Sequence, residues 1–356
     1  MIDSRLGNGL HNCSQAIKEE FQRITEIRDD RLPDTEWSRT VLDGGILEFG
    51  SGIYRVTETI ELSHGGRDDM TTGLTIRGAG VCAKSRRVLP KGGPWQTPKN
   101  KFLATAILWD GPPDQPMMRY NGTGLDINGL SLWGHSVGGP TPSVSKVRAS
   151  VGLQVSKSPT GGTGHFCIGH FSVDNCNIGI RFGESPTDGN CADVSYRHVY
   201  LYRCDTGIRG ENDMTLNHIG QFLQASDCRV VLDFVRGGKV NFQTVMMEAN
   251  CDCMLQTEMT GSGNESFTFG SVTMDASQPV MPCIVRQVET SPEASDRYLS
   301  VLIGQLHAPP GLRQRPRPTP VFDLQPRGRV RVLQGQWLLK TDVENVPGLT
   351  AEHIRN

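Results

Sequence analysis

Apolar and polar residues alternate in short runs along most of this chain, and turns that contain glycine separate the runs. Residues 52–56, 60–62, 74–80 and 171–173 are examples. A period of two places every second side chain on one face, as a β-strand requires. The pattern predicts many short strands, each with an apolar inner face and a polar outer face.

A cysteine marks the same local position in four successive segments. Cys176, Cys204, Cys228 and Cys251 follow one another at intervals of 28, 24 and 23 residues. Strands that recur once per repeat, with no helix between them, predict an all-β, single-stranded parallel β-helix, which is a solenoid. We expect the cysteines to stack in a buried, structural ladder, because no redox motif accompanies them. Cys253 is expected to lie on the same face as Cys251.

Helical spacing occurs in one segment, residues 12–31. Ile17, Phe21, Ile24 and Ile27 form one apolar face, and Ser14 is the predicted N-cap. Such a helix would cover the open end of the solenoid core. We therefore divide the chain into an N-terminal segment with a short capping helix (1–43), the β-helix (44–340) and a C-terminal tail (341–356).

The opening of the chain resembles that of a known superfamily. A helix, the pair Gly44-Gly45, a strand with Gly52-Ile53-Tyr54, and the run Ile76-Arg77-Gly78-Ala79-Gly80 occur in this order. This order resembles the pectate-lyase-like superfamily, in particular the branch that includes phage tailspikes. The resemblance covers residues 12–80 well and later coils more loosely. It implies a right-handed parallel β-helix and, commonly, a homotrimer with the rods side by side.

Composition narrows the function classes. A net charge of −2 and a pI near 6.5 give no reason to expect nucleic acid or an anionic membrane as a partner. No apolar run approaches ~18 residues, so no transmembrane helix is expected. The N-terminus lacks the pattern of a secretory signal, and ten cysteines fit thiols kept reduced in a cytosol. An exported, processed form is the alternative.

The candidate catalytic residues are carboxylates that follow the last inward residue of a strand: Asp174, Glu248 and Asp275. Glu248 and Asp275 are expected on consecutive coils, where two close carboxyl groups suit acid–base chemistry on a polysaccharide. The alternative interpretation is that these side chains hydrogen-bond turn amides. No zinc-ligand spacing and no convincing calcium cluster occurs, so no metal and no cofactor is predicted.

The candidate substrate-binding residues are His170, His198, Tyr200 and Tyr202. The histidines each precede an inward apolar residue, so they are expected to stack outward in neighbouring coils. Tyr200 and Tyr202 leave the same strand as His198, and exposed aromatic rings are what stacking on sugar rings needs. The alternative is a solvated histidine pair.

Three functions fit these observations. The first is a virion-associated, tailspike-like protein of a phage or prophage, made in the host cytoplasm, that binds a host-surface polysaccharide. Whether it also cleaves the polysaccharide is left open, and its other partners would be virion proteins. The second is a free polysaccharide lyase or glycoside hydrolase. The third is a non-catalytic structural decoration or adaptor protein.

Overall fold

The computed structural model describes residues 2, 6–25, 42–43, 45–62, 71–82, 103–134, 148–156, 164–186, 191–260, 263–288, 297–309, 312, 320–325, 327–336, 349–351 and 354–355. Two stretches rich in glycine and proline, 81–101 and 135–150, are predicted from composition to be loops inserted between coils, and they lie for the most part outside the described residues. Ile27 and most of the predicted tail lie outside them too.

The described residues form one helix and two parallel sheets, with strands numbered in chain order. The helix is α1 (Ser14–Thr25). Sheet 1 contains β1 (Asn8–Asn12), β3 (Ile46–Glu48), β4 (Gly52–Val56), β7 (Thr75–Arg77), β8 (Thr105–Trp109), β10 (Leu125–Asn128), β11 (Leu130–Trp133), β13 (Phe166–Asp174), β15 (Val194–Tyr202), β17 (His218–Ser226), β19 (Lys239–Glu248), β21 (Glu265–Met274), β23 (Leu299–His307), β25 (Gly328–Gln336), β26 (Leu349–Ala351) and β27 (Ile354–Arg355). Sheet 2 contains β2 (Leu42–Asp43), β5 (Ile60–Leu62), β6 (Thr71–Thr72), β9 (Met118–Thr123), β12 (Val151–Ser156), β14 (Ile178–Phe182), β16 (Thr206–Gly210), β18 (Val230–Phe234), β20 (Cys253–Thr257), β22 (Cys283–Gln287) and β24 (Phe322–Asp323).

From β12 to β25 the chain alternates between the two sheets. Each strand pairs in parallel with the strand before it and the strand after it in the same sheet. The register stacks like on like: Val199 of β15 pairs with Phe171 of β13 and with Leu223 of β17. The arrangement is consistent with a parallel β-helix and confirms that the chain is mostly β, built from parallel strands.

The long strands of sheet 1 turn a corner near their middle. In β15, Arg197 and His198 lie between the buried Tyr196 and Val199 along the strand, and both point away from the core. The pairing of β15 with β17 skips Arg197 and Gln221 at this point. Because two outward residues follow each other, the outer surface of sheet 1 is divided into two strips, one before and one after the corner.

Each long strand from β13 to β19 ends in a one-residue turn. Asn175, Arg203, Asp227 and Ala249 have φ values of 60°, 49°, 56° and 54°. This left-handed conformation reverses the side-chain alternation at the same place in four consecutive coils. After Asn175, Arg203 and Asp227 the next residue is a buried cysteine, whereas Asn250 separates Ala249 from the buried Cys251.

The predicted cysteine ladder is confirmed. Cys176, Cys204, Cys228 and Cys251 are all buried, with at most 2% of their surface exposed. The expectation for Cys253 is wrong, because it packs with Val230 and Cys283 in a cluster separate from the main core. In β18, β20 and β22 the first residue lies in this separate cluster and the next two lie in the main core, so simple alternation from Cys251 fails.

The helix packs on the core as predicted, with Ile17 and Phe21 buried. The prediction that Ser14 is its N-cap is wrong. The Asn12 side-chain oxygen caps the helix instead, accepting hydrogen bonds from Ser14 N at 3.1 Å and Ser14 Oγ at 2.8 Å. The Ser14 hydroxyl accepts from Thr57 N at 3.0 Å, which ties the helix to the turn after β4.

Candidate functional site

Two surfaces on sheet 1 carry side chains that can bind a ligand or take part in a reaction. The aromatic patch consists of His170, His198, Tyr200 and Phe222, on the strip after the corner of β13, β15 and β17. The polar groove lies on the strip before the corner, where β15, β17, β19 and β21 begin. Both surfaces are held on neighbouring strands about 4.8 Å apart, so their side chains have a fixed spacing.

The two histidines of the patch are stacked, as predicted. His170 is exposed and His198 half-buried, and they pair in register across β13 and β15. His170 Nε2 lies 2.8 Å from His198 Nδ1, so one of the two nitrogens donates a hydrogen bond to the other. Asn128 Oδ1 accepts a hydrogen bond from His170 N at 2.8 Å and fixes the backbone there.

Aromatic rings continue the patch across two strands. The Phe222 ring centre lies 5.9 Å from that of His198 and 6.2 Å from that of Tyr200. The Tyr202 ring lies parallel to that of Tyr200 at 6.5 Å. Tyr202 is only 4% exposed, so it does not offer the open ring face that was predicted for sugar stacking. It packs beside Tyr200 on the same strand.

The polar groove has a volume of about 690 Å³. Its outward-facing side chains combine hydroxyl and amide groups with one carboxylate, one cation and one apolar group, and the sequence analysis did not identify it. The side chains that define it are Asp193, Ser195, Asn217, Ile219, Lys239, Asn241, Ser266 and Thr268. Asn217 Nδ2 donates to Asp193 Oδ1 at 2.9 Å, and Ile219 is 60% exposed. The alternation of inward and outward residues could have identified Ser195, Ile219 and Asn241 as outward-facing. The groove is also lined by residues of the turns that precede these strands, and alternation does not place those residues.

The predicted carboxylates do not form a single row. Asp174 is fully buried, and Arg203 donates to both of its oxygens. In the register of sheet 1, Asp174 is separated from Glu248 by Tyr202 and Ser226, or about 14 Å. Burial and distance together remove Asp174 from any acid–base pair with Glu248.

Glu248 and Asp275 lie on consecutive strands, as predicted. Asp275 N donates to Met247 O at 2.8 Å, which places the two carboxylates on neighbouring coils. Glu248 Oε1 accepts from Gln224 Nε2 at 2.6 Å, and Asp275 Oδ1 accepts from Ser277 N at 2.8 Å. The contact of Asp275 is the turn-amide interaction of the alternative interpretation. Their catalytic role stays a prediction.

Two further titratable groups are buried below the groove. His218 is 1% exposed, its Nδ1 lies 2.7 Å from the Tyr196 hydroxyl, and the Phe182 and Phe234 rings surround it. Burial lowers the pKa of His218 to about 3. Burial also raises the pKa of Glu265 well above its usual range, although a hydrogen bond from Thr257 opposes this. His218 is therefore uncharged in the folded protein at neutral pH.

His218 is expected to make the fold sensitive to acid. Its unfolded pKa is near 6.5, so between pH 6.5 and about 3 the unfolded chain binds a proton that the folded chain does not. The free energy of unfolding should fall by up to ~1.4 kcal/mol per pH unit in this window. His218→Gln should flatten that slope in urea unfolding at pH 7, 6, 5 and 4, whereas His307→Gln, at an exposed site, should not. Parallel slopes for His218→Gln and the parent chain would contradict this account.

Neither a metal cluster nor a membrane span appears in the part of the chain that the structure describes. Its His, Cys, Asp and Glu side chains form no group of three or more that could hold a metal ion. Its helix is too short and too polar to cross a membrane.

In comparisons with known proteins, no family model, curated protein or solved structure matched this chain.

Proposed function

We propose that this chain is a polysaccharide-binding protein with a single-stranded right-handed parallel β-helix of the pectate-lyase-like type, and that it acts as a tailspike-like component of a virion. In this proposal the chain forms a homotrimer, is attached to other virion proteins and meets a host-surface polysaccharide. The observation that carries the proposal is the position of the aromatic patch beside the polar groove on shared strands.

The chemistry of the two surfaces suits sugars. Sugar rings present apolar C–H faces, which stack on aromatic rings, and hydroxyl groups, which pair with amides and hydroxyls. Tyr200 and Phe222 supply the rings, while Asn217 and Asn241 supply amides in the groove. The groove volume lies within the range of small-molecule sites, about 300–1,000 Å³, and its four-strand span suits a short stretch of a polymer.

Binding without cleavage is the core of the proposal. Glu248 and Asp275 have the spacing of neighbouring coils, about 4.8 Å between backbones, which is compatible with a pair of catalytic carboxylates. A non-catalytic structural decoration protein is the alternative, and such a protein would not require an exposed aromatic patch. Cleavage is therefore measured as a separate property, with Glu248→Gln and Asp275→Asn as the variants.

The binding proposal predicts that Tyr200→Ala and Asn241→Ala each weaken binding. The parent chain should bind at least one member of a panel of bacterial surface polysaccharides, measured by biolayer interferometry. Each variant should lose about tenfold in affinity, the equivalent of ~1.4 kcal/mol. Gln305→Ala is the matched control, because Gln305 is exposed on the same strip of β23, three strands from Phe222.

Two outcomes would contradict the proposal. One is the absence of binding to every polysaccharide of a broad panel by a correctly folded chain. The other is binding that Tyr200→Ala and Asn241→Ala leave unchanged, since the polysaccharide would then occupy another surface.

A further inference from the structure

The two histidines of the aromatic patch present their ring nitrogens to each other at a spacing that suits a metal ion. His170 Nε2 and His198 Nδ1 are 2.8 Å apart on adjacent strands. We propose that these two nitrogens form a surface site for a divalent transition-metal ion, with preference for Cu(II) or Ni(II). The inference does not depend on polysaccharide binding.

Coordination geometry supports the site and its preference. Imidazole nitrogens bind such ions at ~2.0–2.1 Å, so two nitrogens in adjacent positions of a square-planar or octahedral ion are ~2.9 Å apart. In a tetrahedral ion the same bond lengths give ~3.3 Å. The 2.8 Å of the hydrogen-bonded pair shows that both nitrogens can reach one ion, and the preference follows from the ligand set: two imidazole nitrogens completed by water suit the tetragonal coordination of Cu(II) and Ni(II), whereas protein zinc sites usually take three or four protein ligands.

The backbone already holds both ligands in place. His170 and His198 are in register on paired strands, and Asn128 Oδ1 accepts a hydrogen bond from His170 N. The ring of Phe222 packs against that of His198. The rings need only turn about χ2, a soft torsion for histidine, for both lone pairs to converge on one ion. His170 is exposed and has room for this rotation.

Binding would replace a proton with the metal. In the metal-free pair one nitrogen carries the hydrogen of the N–H···N bond, while the other offers its lone pair. A bound ion needs the lone pairs of both nitrogens, so the hydrogen moves to the outer nitrogen of the same ring, or is released when both nitrogens of that ring carry one. The described residues contribute no third protein ligand, and water completes the coordination.

The test uses the full chain without an affinity tag. Ni(II) and Zn(II) salts are titrated by calorimetry into the parent, His170→Ala, His198→Ala and the control His307→Ala, which removes an exposed histidine of β23. Circular dichroism confirms that each variant is folded. Cu(II) at one equivalent is examined by electron paramagnetic resonance, which counts coordinated nitrogens.

We expect one Ni(II) per chain, bound more tightly than Zn(II), and a Cu(II) spectrum with two imidazole nitrogens. His170→Ala and His198→Ala should each weaken Ni(II) binding at least tenfold, and His307→Ala should not. The proposal is overturned by unchanged affinity in the His170 and His198 variants, by a spectrum with a single nitrogen, or by equal loss in His307→Ala. Since no sugar is present, these outcomes are independent of the polysaccharide-binding result.

Discussion

Arg203→Met is expected to lower the free energy of unfolding by about 3–5 kcal/mol. Arg203 Nε donates to Asp174 Oδ1 at 2.7 Å, and Arg203 Nη2 donates to Asp174 Oδ2 at 2.6 Å. The Asp174 side chain has no exposed surface and that of Arg203 is 10% exposed. Methionine keeps much of the packing volume but leaves a buried carboxylate without its counter-charge. Urea unfolding followed by circular dichroism measures the loss.

A second variant separates the lost charge from lost packing. Adding Asp174→Asn to Arg203→Met removes the uncompensated charge, so the double variant should recover part of the stability. Arg119→Met is the control, because Arg119 pairs with Glu61 where both side chains are more than a third exposed, and it should cost less than ~1 kcal/mol. If Arg203→Met lowers the free energy of unfolding by less than Arg119→Met does, the buried ion pair does not stabilise the fold.

Gly220→Val is expected to destabilise the fold by about 2–3 kcal/mol. Gly220 occupies an inward position of β17, between Tyr196 of β15 and Phe242 of β19. The rings of Tyr196 and Phe242 approach to 5.3 Å although they are two strands apart, because Phe242 leans across the glycine. A Cβ at Gly220 would stand 2.0 Å from Phe242 Cε1, so the ring would have to move.

The steric origin of this effect has its own test. Phe242→Leu removes the ring, so Gly220→Val should cost less in that background than in the parent chain. Gly263→Ala is the control for the loss of a glycine, since no atom lies within 4 Å of the added Cβ there, and it should be close to neutral. An equal cost of Gly220→Val in both backgrounds would rule out the ring as the cause.

Local pattern predicted much of the architecture, because each inference needed only neighbouring residues. Strand alternation identified Phe171 and Val199, the residues that follow the two histidines, as inward-facing, and both are buried. The recurring cysteines predicted the stacked coils. The outward stacking of His170 and His198 followed from their position before an inward residue, and the register confirms it.

The same pattern failed where the chain departs from regular alternation. Tyr202 was expected outside with Tyr200, but it lies next to the left-handed turn at Arg203 and is buried. Asp174 was expected on the surface, yet it meets an arginine 29 residues away. Such partners depend on coil length, which differs from turn to turn and cannot be derived from any one segment.

The sequence by itself determined that the chain is mostly β, that its coils stack like on like, and that Cys176, Cys204, Cys228 and Cys251 lie in the core. These properties come from periodicity, and periodicity is local. Only the tertiary structure decided that Asp174 is neutralised by Arg203, that Tyr202 is covered, and that turns from successive coils enclose a groove between Asp193 and Thr268. These properties depend on the register between coils, because stacking brings together residues that no local pattern connects.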